Sequence, residues 1–156
     1  MMPDAGPAAL REVCRLRVRY GETDQMRFAY HGHAAVWFDQ ARTELLRLSG
    51  HCYRDLEEQG LWLPVLSLHV DYHLAATYDD ELRLKAGFRP VMKGGGPSDI
   101  QFLIAYEAWV GQALCYTGHT RHCFMEKGPG RNRAIRMPNS LRPLLQGRLA
   151  PEESPS

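Results

Sequence analysis

The spacing of apolar residues changes character along the chain and first predicts one long helix. Between His33 and Leu48 the apolar side chains recur every three or four residues, as on one face of an amphipathic helix. Additional apolar residues widen this stripe, so we expect the helix to be covered on more than one side. Gly50 follows as a stop signal, and a second short helical turn is predicted from Tyr53 to Gln59.

Alternation of apolar and polar residues predicts strands on both sides of the long helix. A short basic and apolar run, Arg15 to Tyr20, comes before it. After it, apolar residues occupy every second position in the segments 62–72, 82–88, 100–108 and 113–125. Glycine-bearing turns separate the last three of these segments, and an amphipathic piece over 139–146 closes the pattern.

This order of elements predicts an α+β fold. A helix that is apolar on two sides requires a sheet curved around it. The edges of such a sheet stay open, so edge-to-edge pairing of two copies is expected. A flexible arm is predicted over 1–13 and a disordered tail over 147–156, which leaves one domain over 14–146.

Composition and charge exclude several classes of protein. Hydrophobic residues make up 44% and charged residues 24% of the 156 positions, which is ordinary for one globular domain. The formal net charge is +1, so there is no electrostatic reason to expect nucleic acid as a partner. The first residues lack the apolar core of a signal peptide, and no stretch has the length and apolarity of a membrane span. A cytoplasmic location is therefore expected.

The segment that enters the long helix carries the candidate chemistry. Glu22 and Asp24 lie in an irregular turn, and His31 and Gly32 follow just before the helix. Gly32 is the best candidate for the cap. Because it has no side chain, the first helical N–H groups stay free at the positive end of the helix dipole. A carboxylate beside such an anion-binding helix start is the minimum apparatus for thioester hydrolysis. From spacing alone, the favoured interpretation of Asp24 is a solvated turn residue.

The stretch from Arg19 to Arg42, RYGETDQMRFAYHGHAAVWFDQAR, resembles the opening signature of the 4-hydroxybenzoyl-CoA thioesterase family. The shared pattern is an aromatic residue, an acidic stretch with Thr-Asp, a small-residue turn, Tyr-His, and an aromatic-rich helix that ends in Ala-Arg. The resemblance implies a hotdog fold, in which a curved antiparallel sheet wraps one long central helix. It also implies an acyl-CoA thioesterase that forms a homodimer or homotetramer, with active sites at the subunit interface.

The resemblance also implies roles for individual residues. Asp24 corresponds to the catalytic carboxylate, as nucleophile or as general base, and the backbone N–H at His31 or its neighbour to the group that polarises the thioester carbonyl. Substrate contacts are implied for the nearby positions Tyr30, Gly32, His33 and Arg42. No cofactor is expected, because coenzyme A is part of the substrate.

Three basic residues are further candidates for contacts with the substrate. For Arg42 a structural ion pair, with Glu22, Asp39 or a neighbouring chain, competes with a substrate contact, since buried charges need partners. Arg89 and Lys93 lie at a predicted exposed hairpin tip, where they are candidates for binding the phosphates of coenzyme A.

The sequence departs from the family pattern at three positions near this site. The family usually has Gly where this chain has Arg27, and Asn and Tyr where it has His33 and Ala34. Ala34 removes an aromatic wall and leaves room for a bulkier acyl group if nothing fills the space. Arg27 is expected either to crowd the site or to reach a phosphate.

Other chemistries are less well supported by the spacing. The four cysteines show no CxxC pair and are expected to be reduced thiols, although their even number permits disulfides. Several histidines occur in pairs, but no carboxylate or cysteine falls at ligand spacing beside them, so no metal site is expected. These pairs are His31 and His33, His69 and His73, and His119 and His122.

Two further functions stay open at this stage. The space expected at Ala34 suits release of an acyl or polyketide chain from an acyl carrier protein. Arg27, in place of glycine, favours a non-catalytic domain that only binds acyl groups. A small-molecule or carrier-bound thioester is the expected partner in each case.

Overall fold

The computed structural model describes residues 10–146, and they form one sheet of seven strands with helices packed on it. The strands are β1 (Arg11–Arg17), β2 (Leu61–Trp62), β3 (Val65–Tyr72), β4 (Glu81–Lys93), β5 (Gly96–Val110), β6 (Ala113–Glu126) and β7 (Arg133–Ile135). The helices are α1 (His33–Leu48) and α2 (Tyr53–Glu58), with 3₁₀ turns at Tyr20–Glu22 and Arg142–Gln146. The predicted α+β class is confirmed.

The sheet is antiparallel throughout and has the strand order β1-β4-β5-β6, with β2, β3 and β7 all paired to β6. The long strands β4, β5 and β6 form a meander joined by tight turns, as the alternating pattern predicts. Strand β3 forms the edge opposite β1, and most of its residues are exposed.

The first strand differs from its prediction. It runs from Arg11 to Arg17 rather than from Arg15 to Tyr20, so residues 11–13 belong to the sheet and not to the predicted arm over 1–13. A register shift between Glu12 and Cys14 interrupts the alternation before Arg15, so the first part of the strand carried no regular pattern. Residues 1–9 and the predicted tail over 147–156 lie outside the described residues.

Helix α1 has the predicted bounds and packs against β1, β3, β4 and β5. Its buried residues are Ala34, Trp37, Phe38, Ala41, Leu45 and Leu46. The Phe38 ring stacks on the ring of Tyr106 from β5 at 4.5 Å between centroids. Each large side chain buried in this way contributes roughly 1.5–3 kcal/mol.

Gly118 explains how closely α1 and β3 approach β6. A Cβ atom at this position would lie 2.2 Å from the carbonyl oxygen of His69 and 2.7 Å from the Phe38 ring. Any side chain here would force helix and strand apart, so glycine is required by the packing.

A chain of polar side chains crosses the core between β5 and β6. The hydroxyls of Tyr106 and Thr120 lie 2.6 Å apart, Thr120 Oγ1 lies 2.6 Å from His122 Nε2, and His122 Nδ1 lies 3.0 Å from the Pro64 carbonyl oxygen. All three side chains are buried. Burial, together with the positive charge of Arg42, lowers the pKa of His122 to about 4, so the imidazole is neutral near pH 7.

Among residues 10–146, no helix combines the length and apolarity needed to cross a membrane. The four cysteines are free thiols, with Cys115 and Cys123 buried and Cys14 and Cys52 half-buried.

Candidate active site

A small irregular hairpin presents Asp24 in front of α1. Thr23 and Ala29 pair as an isolated antiparallel bridge, and the Asp24 amide donates to the Phe28 carbonyl oxygen at 2.9 Å. The Thr23 hydroxyl donates to the Tyr20 carbonyl oxygen at 2.7 Å, which fixes the entry to the turn. Asp24 is exposed, so its carboxylate is available to a ligand.

The turn of this hairpin depends on an unusual backbone conformation at Arg27. Arg27 has φ +66°, in the left-handed region, and its amide donates to the Asp24 carbonyl oxygen at 2.9 Å. One carboxylate oxygen of Asp24 accepts from the Met26 amide at 2.9 Å. The glycine usual in the family at Arg27 therefore has a conformational explanation, because glycine adopts this region without a steric penalty.

Glu22 anchors the hairpin to the body of the protein, and sequence reasoning missed this role. Its side chain is 4% exposed. One carboxylate oxygen accepts from the Arg19 amide at 2.8 Å, and the other accepts from Trp37 Nε1 at 3.0 Å. Burial alone raises the pKa of Glu22, but these hydrogen bonds and the Arg19 guanidinium outweigh it and hold the pKa below its usual value. Glu22 is therefore a buried carboxylate that stabilises the loop.

The start of α1 lacks a side-chain cap, as predicted from Gly32, but its first two amides are not free as predicted, because those of His33 and Ala34 donate to the Tyr30 and His31 carbonyl oxygens. Gly32 occupies the cap position, and no side chain caps the helix. Within residues 10–146 the amides of His31 and Gly32 donate no hydrogen bond, whereas the His33 amide donates to the Tyr30 carbonyl oxygen at 3.0 Å. Free N–H groups at a helix start favour an anion or a polarised carbonyl.

Tyr30 lies directly against this helix start. Its ring centroid is 4.3 Å from that of His31, and a Cβ atom at Gly32 would lie 2.6 Å from the Tyr30 ring. The structure therefore brings together Tyr30, His31 and Gly32, and the hairpin that carries Asp24 directly precedes them in the chain. His33, the first residue of α1, is half-buried with Nδ1 3.8 Å from the Glu22 carboxylate, so it faces the anchor.

A cavity of about 110 Å³ opens beside His31. Its walls are Ala29, His31, Tyr72, His73, Leu74, Ala75 and Tyr116. The Tyr72 hydroxyl donates to the His31 carbonyl oxygen at 2.8 Å, and the Tyr116 hydroxyl accepts from the Ala76 amide at 2.9 Å. These bonds hold two walls of the cavity in place. The cavity could not be predicted from local patterns, because its walls come from the separate segments 29–31, 72–75 and 116. Asp24 does not line it.

Arg42 lies away from this helix start. Its guanidinium donates to Asp39 at 2.6 Å and to the Leu63 carbonyl oxygen at 2.9 Å, and it lies over the Tyr53 ring at 5.4 Å. The structural ion pair with Asp39 that competed with a substrate contact is thus present, while Arg42 does not line the cavity at His31.

Arg89 and Lys93 are not brought to Asp24 within one chain. The start of β4 adjoins the candidate site, because Thr77 pairs with Phe28 and the Val18 amide donates to the Asp80 carbonyl oxygen. Arg89 lies roughly 25 Å along β4 from that end, and Lys93 roughly 40 Å, at the usual rise of about 3.3 Å per residue.

Ala34 does not leave the open space that its small side chain suggests. It is 1% exposed and belongs to the buried face of α1. The expectation of extra room for a bulky acyl group at this position is therefore wrong in this structure.

The histidines that occur in pairs along the sequence lie at different places in the structure. His69 and His119 stack across β3 and β6 at 5.3 Å between ring centroids, and His73 lies 2.8 Å from the Thr117 hydroxyl. Among the residues that the structure describes, no three His, Cys, Asp or Glu side chains converge as metal ligands would.

Comparison with known proteins agrees with this architecture. Residues 26–88 match the sequence profile of the family described as the thioesterase superfamily. The acyl-CoA thioesterase YbgC of Haemophilus influenzae is 39% identical over 71 residues, which are 45% of this chain and 52% of that protein. The matched segments span about half of two curated relatives, 47% of YneP from Bacillus subtilis and 52% of YbgC. The family resemblance seen in the sequence is confirmed.

Solved structures show the same fold. A hypothetical protein from Thermus thermophilus, TT1821, is 29% identical and superposes with a TM-score of 0.72, covering 87% of this chain and 98% of that one. The DHNA-CoA thioesterase of Staphylococcus aureus is also 29% identical, with a TM-score of 0.68 over 79% of this chain and 78% of that one. The predicted fold class is thereby confirmed at the level of an antiparallel sheet with few helices that resembles hotdog-fold proteins.

Proposed function

Because residues 26–88 carry the pattern of the thioesterase superfamily, we propose that the chain hydrolyses acyl-CoA thioesters with Asp24 as the catalytic carboxylate. The observation that carries the proposal is the open start of α1, where the His31 and Gly32 amides are free among the described residues and the Asp24 hairpin lies directly before them. We also infer that α1 is the central helix around which the sheet curves.

The proposed chemistry follows from this arrangement. The thioester oxygen accepts hydrogen bonds from the free amides, which stabilise the negative charge that develops when the carbonyl is attacked. Asp24 acts in one of two ways. As a nucleophile it forms a mixed anhydride and expels the coenzyme A thiolate, and water then hydrolyses the anhydride. As a base it takes a proton from the water that attacks the carbonyl, and the thiolate leaves with a proton.

The neighbouring side chains have supporting roles in this proposal. Glu22 and Trp37 keep the hairpin fixed to α1, so the carboxylate and the amides hold one geometry. Tyr30 covers the helix start and limits access of water. The cavity beside His31, at about 110 Å³, accepts a small acyl group. The burial of Ala34 removes the observation that favoured a bulky carrier-bound chain.

We further propose that the active unit is a homodimer paired through β3. This edge strand exposes Leu66, Leu68 and Tyr72 on the face that also carries α1, and its backbone edge is open among the described strands. The Tyr72 end of β3 adjoins the helix start, and the Val65 end lies level with Pro90 across the sheet. Antiparallel pairing of two β3 strands turns the β4–β5 hairpin of each copy towards Asp24 of the other. Arg89 and Lys93 would then bind the phosphates of a coenzyme A molecule that is held mainly by the partner.

The test is release of free thiol from aromatic, short-chain and long-chain acyl-CoAs by the wild type and by Asp24→Asn. We expect Asp24→Asn to lower the rate at least ~10²-fold, the loss typical of removing a general base. Asp55→Asn, which changes an exposed carboxylate on α2, is the matched control and should retain full activity. Equal rates for Asp24→Asn and the wild type on the best substrate would contradict the proposal.

A further inference from the structure

A second and larger cavity lies at the opposite end of α1 from Asp24. It has a volume of about 320 Å³ and is enclosed by β4, β5 and the segment that follows β7. That volume is within the range of small-molecule sites, about 300–1,000 Å³. Pro90, on its wall, lies roughly 30 Å along β4 from the end that adjoins the Asp24 hairpin. Within one chain this cavity is therefore separate from the proposed thioester site, although it lies on the β4–β5 hairpin that the proposed dimer turns towards the partner.

The walls are mainly apolar and adaptable. They include Pro90, Met92, Pro97, Met137 and Leu145. Met92 is 43% exposed and Met137 is 5% exposed, so one methionine borders the mouth and the other the floor. Unbranched methionine side chains rearrange easily around an apolar guest.

The floor leads towards a narrow slot in the core. Met137 and Leu145 line both the cavity and this slot, which has a volume of about 10 Å³ and is otherwise walled by residues such as Leu46, Phe88 and Phe102. Movement of Met137 would join the two spaces into one elongated path between the sheet and the last turn of α1. Such a path fits a linear chain better than a flat ring.

The mouth of the cavity carries a cation. Arg142 lies on the wall, with Nη1 3.4 Å from the Asp99 carboxylate and Nε donating to the Met137 carbonyl oxygen at 3.4 Å. Its Nη2 makes no hydrogen bond within residues 10–146. Arg142 and Asp99 are the charged residues that the structure places on the wall, and the Nη2 group of Arg142 keeps its N–H donors for a ligand. Such donors favour an anionic head group.

We propose that this cavity binds a linear aliphatic carboxylate, with the alkyl chain between Met92, Met137 and Leu145 and the carboxylate on Arg142. The binding needs neither Asp24 nor thioester hydrolysis. It gives the protein a second ligand site for a free acid.

The test is calorimetric titration of the full-length protein with octanoate and, in parallel, with octanol. We expect saturable octanoate binding at about 1 mM or below, the limit of weak specific binding. Arg142→Gln should weaken octanoate binding about tenfold and leave octanol unchanged, because one charge-assisted hydrogen bond is worth about that factor. Asp99→Asn should strengthen octanoate binding, since among residues 10–146 it removes the only acid on the wall.

Two filling variants locate the site. Met92→Trp places bulk at the mouth of the cavity and should lower the affinity for octanoate at least tenfold, while thermal unfolding reports that the fold is intact. Leu74→Trp fills the other cavity, at His31, and should leave octanoate binding unchanged. Absence of octanoate binding, or loss of binding in Leu74→Trp with retention in Met92→Trp, would overturn the proposal. Neither result bears on the Asp24 mechanism.

Discussion

Trp37 donates a hydrogen bond from Nε1 to the Glu22 carboxylate across 3.0 Å, and this contact joins α1 to the hairpin that presents Asp24. Both side chains are buried, at 3% and 4% exposure. The position of the candidate catalytic carboxylate thus depends on a second carboxylate that never meets the substrate. This relationship leads to the first prediction.

Glu22→Gln should lower the free energy of unfolding by about 1–3 kcal/mol near neutral pH, because it disrupts buried charge-assisted hydrogen bonds. The folded-state pKa of Glu22 lies below its unfolded value. Its contribution to stability is therefore present above the unfolded pKa, about 4.5, and is lost as the pH falls through the lower folded value. Urea unfolding at several pH values should show a flatter acid limb for the variant. Glu57→Gln, exposed on α2, should behave like the wild type.

Arg27→Gly should raise the free energy of unfolding by up to about 1 kcal/mol. Arg27 holds φ +66°, a conformation that costs a residue with a Cβ roughly 1–2 kcal/mol and costs glycine nothing. Part of the gain is offset by the greater freedom of glycine in the unfolded chain. Thermal unfolding is the measurement, and Arg27→Ala is the control, since it removes the charge but keeps the Cβ. An equal gain in Arg27→Ala would show that charge, not backbone conformation, is responsible.

His122 should make the protein less stable as the pH falls from about 6.5 to 4. Its folded pKa, about 4, lies below the ordinary value of 6.5, so the unfolded chain binds the proton first. The free energy of unfolding should then fall by at most about 1.4 kcal/mol per pH unit across this window. His122→Phe is expected to be less stable near neutral pH but to lose this slope in urea unfolding. A slope that persists unchanged in the variant would assign it to other groups.

Leu68→Lys should convert a dimer into monomers, because Leu68 is 45% exposed on edge strand β3 and a charge there opposes pairing of two copies. Light scattering after gel filtration measures the mass, and thiol release measures the accompanying loss of activity. Ser67→Lys places the same charge on the opposite face of the same strand and should retain the dimer. A wild-type protein that is monomeric yet active would rule out the pairing.

The elements set by local pattern could be predicted from the sequence. The bounds of α1 agree with the prediction, because the apolar period of the helix and the glycine that follows it, Gly50, are local signals. The strands β4, β5 and β6 agree because alternation marks one buried face, although β4 extends to Lys93 and β5 runs from Gly96 to Val110. The absence of a side-chain cap at Gly32 was likewise a local signal.

The features that depend on distant contacts could not be predicted. Glu22 looks like a solvated loop residue until Trp37, fifteen positions later, covers it and donates to it. The Arg19 amide donates to the Glu22 carboxylate and not to a neighbouring strand. Tyr20, predicted at the end of the first strand, lies in the 3₁₀ turn that follows. Arg27 gave no sign of its left-handed backbone, because arginine rarely adopts it.

The hydrogen bond from the Tyr72 hydroxyl to the His31 carbonyl oxygen spans 2.8 Å between the edge strand and the helix start. If two copies pair through β3, then a ligand at His31 and the second copy at β3 both affect this one hydrogen bond. Thermodynamic linkage then makes the effect mutual, since whatever factor assembly adds to ligand affinity, the ligand adds to assembly. Dilution of the protein would lower its affinity for substrate, because the dimer dissociates. Saturation with substrate would lower the concentration at which the dimer dissociates.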